Sequence, residues 1–246
     1  VLDGWLSDPV GVVLALGLAV ALGAAVQSAV GFGLAVVAAP FVVLVEPALM
    51  PGGLLVCGFV LPFWELVRHP RDVDRRLLTS AYGMRLALTP VGAALVVWSG
   101  AREIALIVGV MILVVVAISL TPVSVRATVP NALAAGAVTG VAGTAASIGG
   151  PFLAMVLQHE RPERLRSTLA AFFVLGSLTS LLALAVAGEL TLGQVGAGVV
   201  WVPFLALGVW LGRPLRLVVS RERMRQAVLT FCTVASAVVI LRAVLG

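Results

Sequence analysis

Long, nearly uninterrupted apolar stretches dominate this chain and leave it few ways to fold. They cover approximately residues 10–45, 48–67, 77–99, 104–121, 131–158, 168–187, 193–212 and 226–245. One helical crossing of a bilayer needs about 20 apolar residues, and all but the first and fifth runs fit one helix each. A spanning β-barrel would instead show short segments of alternating polarity. Composition agrees: 61% of the 246 residues are hydrophobic and 11% charged, against roughly 25% charged in an ordinary soluble domain. The mean hydropathy is +1.16. These values exclude a soluble globule, a disordered chain, a disulfide scaffold and a nucleic-acid binder. The expected fold class is an all-α polytopic membrane protein, one transmembrane domain over residues 1–246.

The first and fifth runs are too long for one crossing and too short for two full ones. Each is punctured by glycine and then proline: Gly31-Phe32-Gly33 and Pro40 in one, Gly143, Gly149-Gly150 and Pro151 in the other. They occupy corresponding places, each followed by three ordinary runs. An internal duplication accounts for this, with repeat 1 about 1–121 and repeat 2 about 130–246. Run lengths carry the similarity, since GFGLAVVAAPF at 31–41 and AGTAASIGGPF at 142–152 share only Pro-Phe and one Ala. Eight to ten helical segments are expected, with a broken or re-entrant helix pair in each half.

Charge gives an independent test. The chain carries a net +5, and its sixteen basic residues are all Arg. They lie mostly in short loops, where they act as topology signals, because Arg-rich loops stay on the cytoplasmic side. In the first half the rich loop holds Arg68, Arg71, Arg75 and Arg76; in the second the Arg fall at 161, 164 and 166 and at 213, 216, 221, 223 and 225. The bias is therefore opposite in the two halves, as an inverted repeat requires. With both termini on the periplasmic or extracellular side, thirteen of the sixteen Arg face the cytoplasm. Asp3 and Asp8, with no basic residue before the first run, argue against a cleavable signal peptide. Cys57 and Cys232 lie inside apolar runs and are expected to be small packing residues.

Backbone polar groups in lipid must be satisfied within their own segment, so a Gly/Pro break at membrane depth needs shelter from protein or a water-lined cavity. Breaks at matching positions of inverted halves point to a transporter's binding site. A helix that starts inside the membrane presents free N–H groups and partial positive charge, and two such starts meeting near the midplane would hold an anion. Gln27 and Ser28 precede the first break; Thr139, Thr144 and Ser147 flank the second. Two accounts of these neutral groups stand: hydrogen bonding to a ligand in a cavity, and close helix–helix packing. Arg85 is the one charged residue well inside a run, about 12 Å along its helix from Leu77. It is placed either to contact an anion bidentately, to snorkel to the inner surface, or to pair with Glu65. Asn131 starts the second broken run as a cap. His69 and His159 sit at loop edges, where solvation suffices. Neither a metal-ligand cluster nor a phosphate-cradling motif is present, so no cofactor is expected. Ser147 with His159 does not make an intramembrane protease, because the His belongs at the membrane edge.

The first break, and still more GVAGTAASIGGPFLAMVL at 140–157 followed by an Arg-bearing loop and TLAAFF at 168–173, resembles the TauE/SafE family of membrane permeases. The two-copy layout covers essentially the whole chain. The resemblance implies a bacterial inner-membrane permease or exporter of small anions, often sulfur-containing, such as sulfite and organosulfonates. Ala35, Ala38 and Ala39 stand where typical members carry more glycine, which implies a less deeply unwound first break. The expected activity is thus secondary transport of a small anion, not catalysis. The expected partners are that anion and the lipid bilayer, with the coupling ion and a homo-oligomer left open. The expected binding residues are Gln27, Ser28, Gly31, Gly33, Pro40, Arg85, Thr139, Gly143, Thr144, Ser147, Gly149, Gly150 and Pro151. An anion channel and a non-transporting accessory subunit are the alternatives.

Overall fold

The computed structural model describes residues 9–68, 72–120, 125–218 and 221–245, and at positions 9, 30, 213–218 and 221–225 the backbone only. The expectations on Asp3, Asp8, His69 and Arg71, and on the side chains of the Arg at 213–225, lie outside the described residues. The elements in order are α1 (Pro9–Val30), α2 (Leu34–Val45), a single 3-10 turn (Pro47–Leu49), α3 (Gly52–Arg68), α4 (Arg75–Trp98) and α5 (Ala101–Leu120). The second half continues with α6 (Val129–Ala145), α7 (Gly150–Val156), α8 (Pro162–Val186), α9 (Leu192–Val200), α10 (Val202–Val218) and α11 (Arg221–Leu245). Among the described residues, 6 helices are long and apolar enough to cross a membrane.

Local chemistry places the boundaries. Asp74 caps α4 by accepting the Leu77 N–H at 3.0 Å, and Thr191 caps α9 by accepting that of Gln194 at 3.1 Å. Proline stands in the first turn of α6, α7 and α8, where its missing N–H costs nothing. The first interruption is Gly31-Phe32-Gly33, with φ of 100° at Gly31 and 127° at Gly33, values that cannot continue a helix. The second runs from Ala146 to Gly149, with φ of 60° at Ser147.

Each interrupted run is a longer helix followed by a short return leg. The return legs α2 and α7 have 12 and 7 residues, about 18 and 10 Å, well short of a hydrocarbon core about 30 Å thick. Three expectations need correction. Gly143 does not break α6, which runs on to Ala145. Pro40 lies within α2 and does not end it, since the helix continues to Val45. Asn131 is not the cap of α6: the helix starts at Val129, and the Asn131 amide instead donates to the Arg126 carbonyl at 2.9 Å.

Packing joins the two halves intimately. The most extensive helix pairs are α4 with α6, α1 with α10, α3 with α8, and α5 with α11. Exchanging the halves leaves that set of pairs unchanged, if α9 and α10 are taken as one run bent at Trp201. Lipid supplies no hydrophobic drive for helix association, so small residues must allow close approach. Along α4 and α6 the meeting points advance together, Gly136 on Ala81, Gly140 on Arg85 and Leu88, and Thr144 on Gly92, so these helices run parallel. The same holds for α1 and α10, where Gly17 meets Phe204, Ala21 meets Gly208 and Ala25 meets Gly212.

The loops gather at two ends of the bundle. At one end the Gln194 amide donates to the carbonyls of Ala48 and Met50 at 3.1 and 2.9 Å, and Arg242 donates to the Leu44 carbonyl at 3.1 Å. At the other, Arg164 pairs with Asp72 at 3.2 Å and Glu160 at 3.5 Å, and the Asp74 N–H donates to the Thr168 hydroxyl at 3.0 Å. The interior between these ends is apolar apart from a few buried polar residues, most of which converge on one place.

Candidate anion site

The two breaks meet. A Cβ at Gly150 would stand 3.0 Å from the Cβ of Phe32, which lies between the glycines of the first break. A cavity of about 50 Å³ opens where α2 and α7 begin, flanked by α1, α3, α4, α6 and α8. Such a volume exceeds the 10–15 Å³ or so that admits one water, and it suits a small solute. Gln27, the last polar residue on α1 facing the break, turns its Oε1 onto the Leu34 N–H at 3.2 Å. That bond satisfies one of the free N–H groups of α2. It also leaves the amide N–H₂ of Gln27 as the half available to a ligand.

Arg85 enters from the middle of α4 and is only 2% exposed. Its guanidinium lies among glycines. A Cβ at Gly143 would stand 3.1 Å from Nη2, one at Gly149 would stand 3.3 Å from Nη1, and one at Gly176 would overlap the guanidinium carbon. Nη2 donates to the Ser180 hydroxyl at 3.3 Å, which in turn shares a 2.8 Å hydrogen bond with Thr144. The Phe172 ring lies under the cation, 5.1 Å from ring centroid to Cζ. Nε has no hydrogen-bond partner. No carboxylate pairs with Arg85 among the described residues, and its burial means that it does not snorkel to the surface. A buried guanidinium without a counter-charge costs several kcal/mol, and an anion in the adjoining cavity would remove that cost.

The sequence-predicted residues divide into two sets. Gln27, Gly33, Arg85, Gly143, Ser147, Gly149, Gly150 and Pro151 line the cavity. Ser147 is partly committed, since its hydroxyl donates to the Pro51 carbonyl at 3.0 Å. Ser28, Gly31, Pro40, Thr139 and Thr144 are not brought to the cavity wall. Ser28 faces Gly212 of α10. Gly31 provides the turn. Pro40 is buried within α2. Thr139 hydrogen-bonds the Ala135 and Gly136 carbonyls of its own helix while packing behind Gly149. Thr144 stands one layer back, holding Ser180.

Sequence reading missed the contribution of α8. Phe173 and Ser177 line the cavity, and Phe172, Gly176 and Ser180 surround Arg85. The signal was present as GSLTS at 176–180, a small-polar cluster inside an apolar run. It lies far from either break in sequence and therefore drew no notice.

No curated protein and no solved structure matches the chain. The model of one protein family, described as sulfite exporter TauE/SafE, matches residues 15–239 and so takes in both breaks, Arg85 and the GSLTS cluster. An all-helical fold with several membrane-length helices is what a membrane exporter requires, and on a match over nearly its whole length the chain belongs to the TauE/SafE sulfite exporter family.

Proposed function

We propose that this protein is a secondary transporter of small anions, sulfur-containing oxyanions such as sulfite or short organosulfonates, with the cavity at the two breaks as its binding site. The observation that carries this is Arg85, a buried guanidinium with no acidic partner among the described residues and one nitrogen unpartnered, beside a small cavity. Gln27 and the start of α2 add N–H donors to the same wall. The helix pairs that survive exchange of the halves, and the parallel running of α4 with α6 and α1 with α10, support two inverted repeats rocking against each other around the site. The Arg-rich loops support an inner-membrane orientation with the Arg164–Asp72 end in the cytoplasm.

Thermal unfolding of the detergent-purified protein against a solute panel tests this. A ligand bound only by the folded state raises the melting temperature with its occupancy. Sulfite or a short sulfonate is expected to raise it and simple cations are not. Arg85→Gln is expected to abolish the shift while the variant still folds and unfolds cooperatively. A shift of the same size in Arg85→Gln would place the anion elsewhere.

A further inference from the structure

Among the described residues, Arg85 is the only ionisable side chain in the cavity wall. The elements packed around it add little charge. On α4 itself, Tyr82 lies one turn away and Arg75 and Arg76 lie in the first turn. Helix α6 has no titratable residue, and α8 has Glu163, Arg164 and Arg166 only in its first two turns. Helices α1, α2 and α7 have none, and α3 carries Cys57, whose thiol is turned to the Gly198 carbonyl, and Glu65 and Arg68 near its far end. An arginine stays protonated inside proteins, so the empty site holds a single fixed positive charge.

We propose that the site selects its ligand by charge state: it binds small monovalent oxyanions and accepts a divalent oxyanion only in its singly protonated form. This rests on the reading of Arg85 as an anion site. A monoanion and the guanidinium make a neutral pair. A dianion would leave one uncompensated negative charge in a buried, mostly apolar region where charge is poorly screened, with no second cation among the described residues of the wall. The remaining groups fit a protonated oxyanion. The guanidinium and the Gln27 amide donate to its oxygens, and the Ser177 hydroxyl is able to accept its O–H. A proton that crosses with such a substrate then rides on the substrate itself, with no carboxylate or imidazole of the cavity wall as relay.

The test is binding to the purified full-length chain by calorimetry at pH values on both sides of the second ionisation of sulfite. Methanesulfonate serves as a permanent monoanion and sulfate as a permanent dianion, and Arg85→Gln is run beside the parent. The apparent Kd for total sulfite is expected to rise about tenfold per pH unit above that ionisation. The methanesulfonate Kd is expected to stay flat, and sulfate is not expected to compete. A sulfite Kd that is flat or falls with rising pH, or tight sulfate binding, with Arg85→Gln still abolishing binding, would overturn charge-state selection alone. Parallel pH dependence for sulfite and methanesulfonate would do the same, by locating the titration in the protein. Sulfite binding that survives Arg85→Gln, or no binding of any of these anions, would overturn the anion site and this inference with it.

Discussion

A single arginine defines the chemistry of this molecule, and the glycines around it define where its charge sits. Gly176 is the sharpest case. A methyl group there would overlap the Arg85 guanidinium, a buried group that would have to shift to make room. Gly176→Ala is expected to destabilise the fold by about 1–3 kcal/mol through overpacking and to weaken anion binding by pushing the cation off Ser180. Denaturation curves and anion titrations of the variant check both halves of that expectation. Ser147 offers a subtler test. It holds a positive φ that is worth about 1–2 kcal/mol of strain in a residue with a Cβ. Its hydroxyl bond to Pro51 recovers about 1 kcal/mol. Ser147→Gly removes both effects and is expected to leave stability nearly unchanged. Ser147→Ala keeps the strain and loses the bond, and is expected to cost about 1 kcal/mol; comparison of the two melting temperatures decides. At this scale the sequence was legible where a residue was out of place. A charged side chain in mid-run and glycine pairs beside proline both announced themselves. Gly143 was legible as special and misread in kind, because a glycine that makes room for a guanidinium looks the same in sequence as one that ends a helix.

Among the elements, α2 and α8 repay comparison. Helix α2 was anticipated as a piece that begins within the membrane, because Gly31 and Gly33 forbid a continuous helix. Gly33 has a φ of 127° and abuts Val26, so Gly33→Ala is expected to lose about 1–2 kcal/mol from backbone strain alone. It is also expected to disturb the Gln27–Leu34 bond at the start of α2 and so to lower anion affinity. Unchanged anion affinity in the destabilised variant would show that the turn does not shape the site. Helix α8 was read as an ordinary span, and as a span it is ordinary: 25 residues, apolar, with its charges in the first two turns. Its contribution comes from the face that carries Phe173, Gly176, Ser177 and Ser180, spaced three and four apart so that they lie together. Only its packing against α3 and α4 aims that face at the cavity. Tertiary contacts of this kind have no signature in run length or charge.

At the level of the whole molecule, the order of the helices was legible in the alternation of apolar runs and arginine loops, and the pairing of helices was not. Run lengths raised the expectation that the halves correspond. They could not tell that α1 packs along α10 or that α4 packs along α6, which depends on small residues meeting across helices from opposite halves. The threading makes an expectation of its own. Arg126 is exposed at the Asp72–Arg164 end, and Leu192 is 91% exposed beside the Gln194 clamp at the other. A membrane-impermeant thiol reagent applied to intact cells is expected to label Leu192→Cys and to spare Arg126→Cys. The native Cys57 and Cys232 are buried and give no background. Labelling of Arg126→Cys alone would invert the molecule. The most direct measurement is sulfite flux into liposomes holding the purified protein, compared with the same protein carrying Arg85→Gln. The account predicts saturable sulfite flux that competing small monoanions inhibit and that Arg85→Gln removes while the variant remains folded. Flux that is undiminished in folded Arg85→Gln, or does not saturate with sulfite, would contradict it.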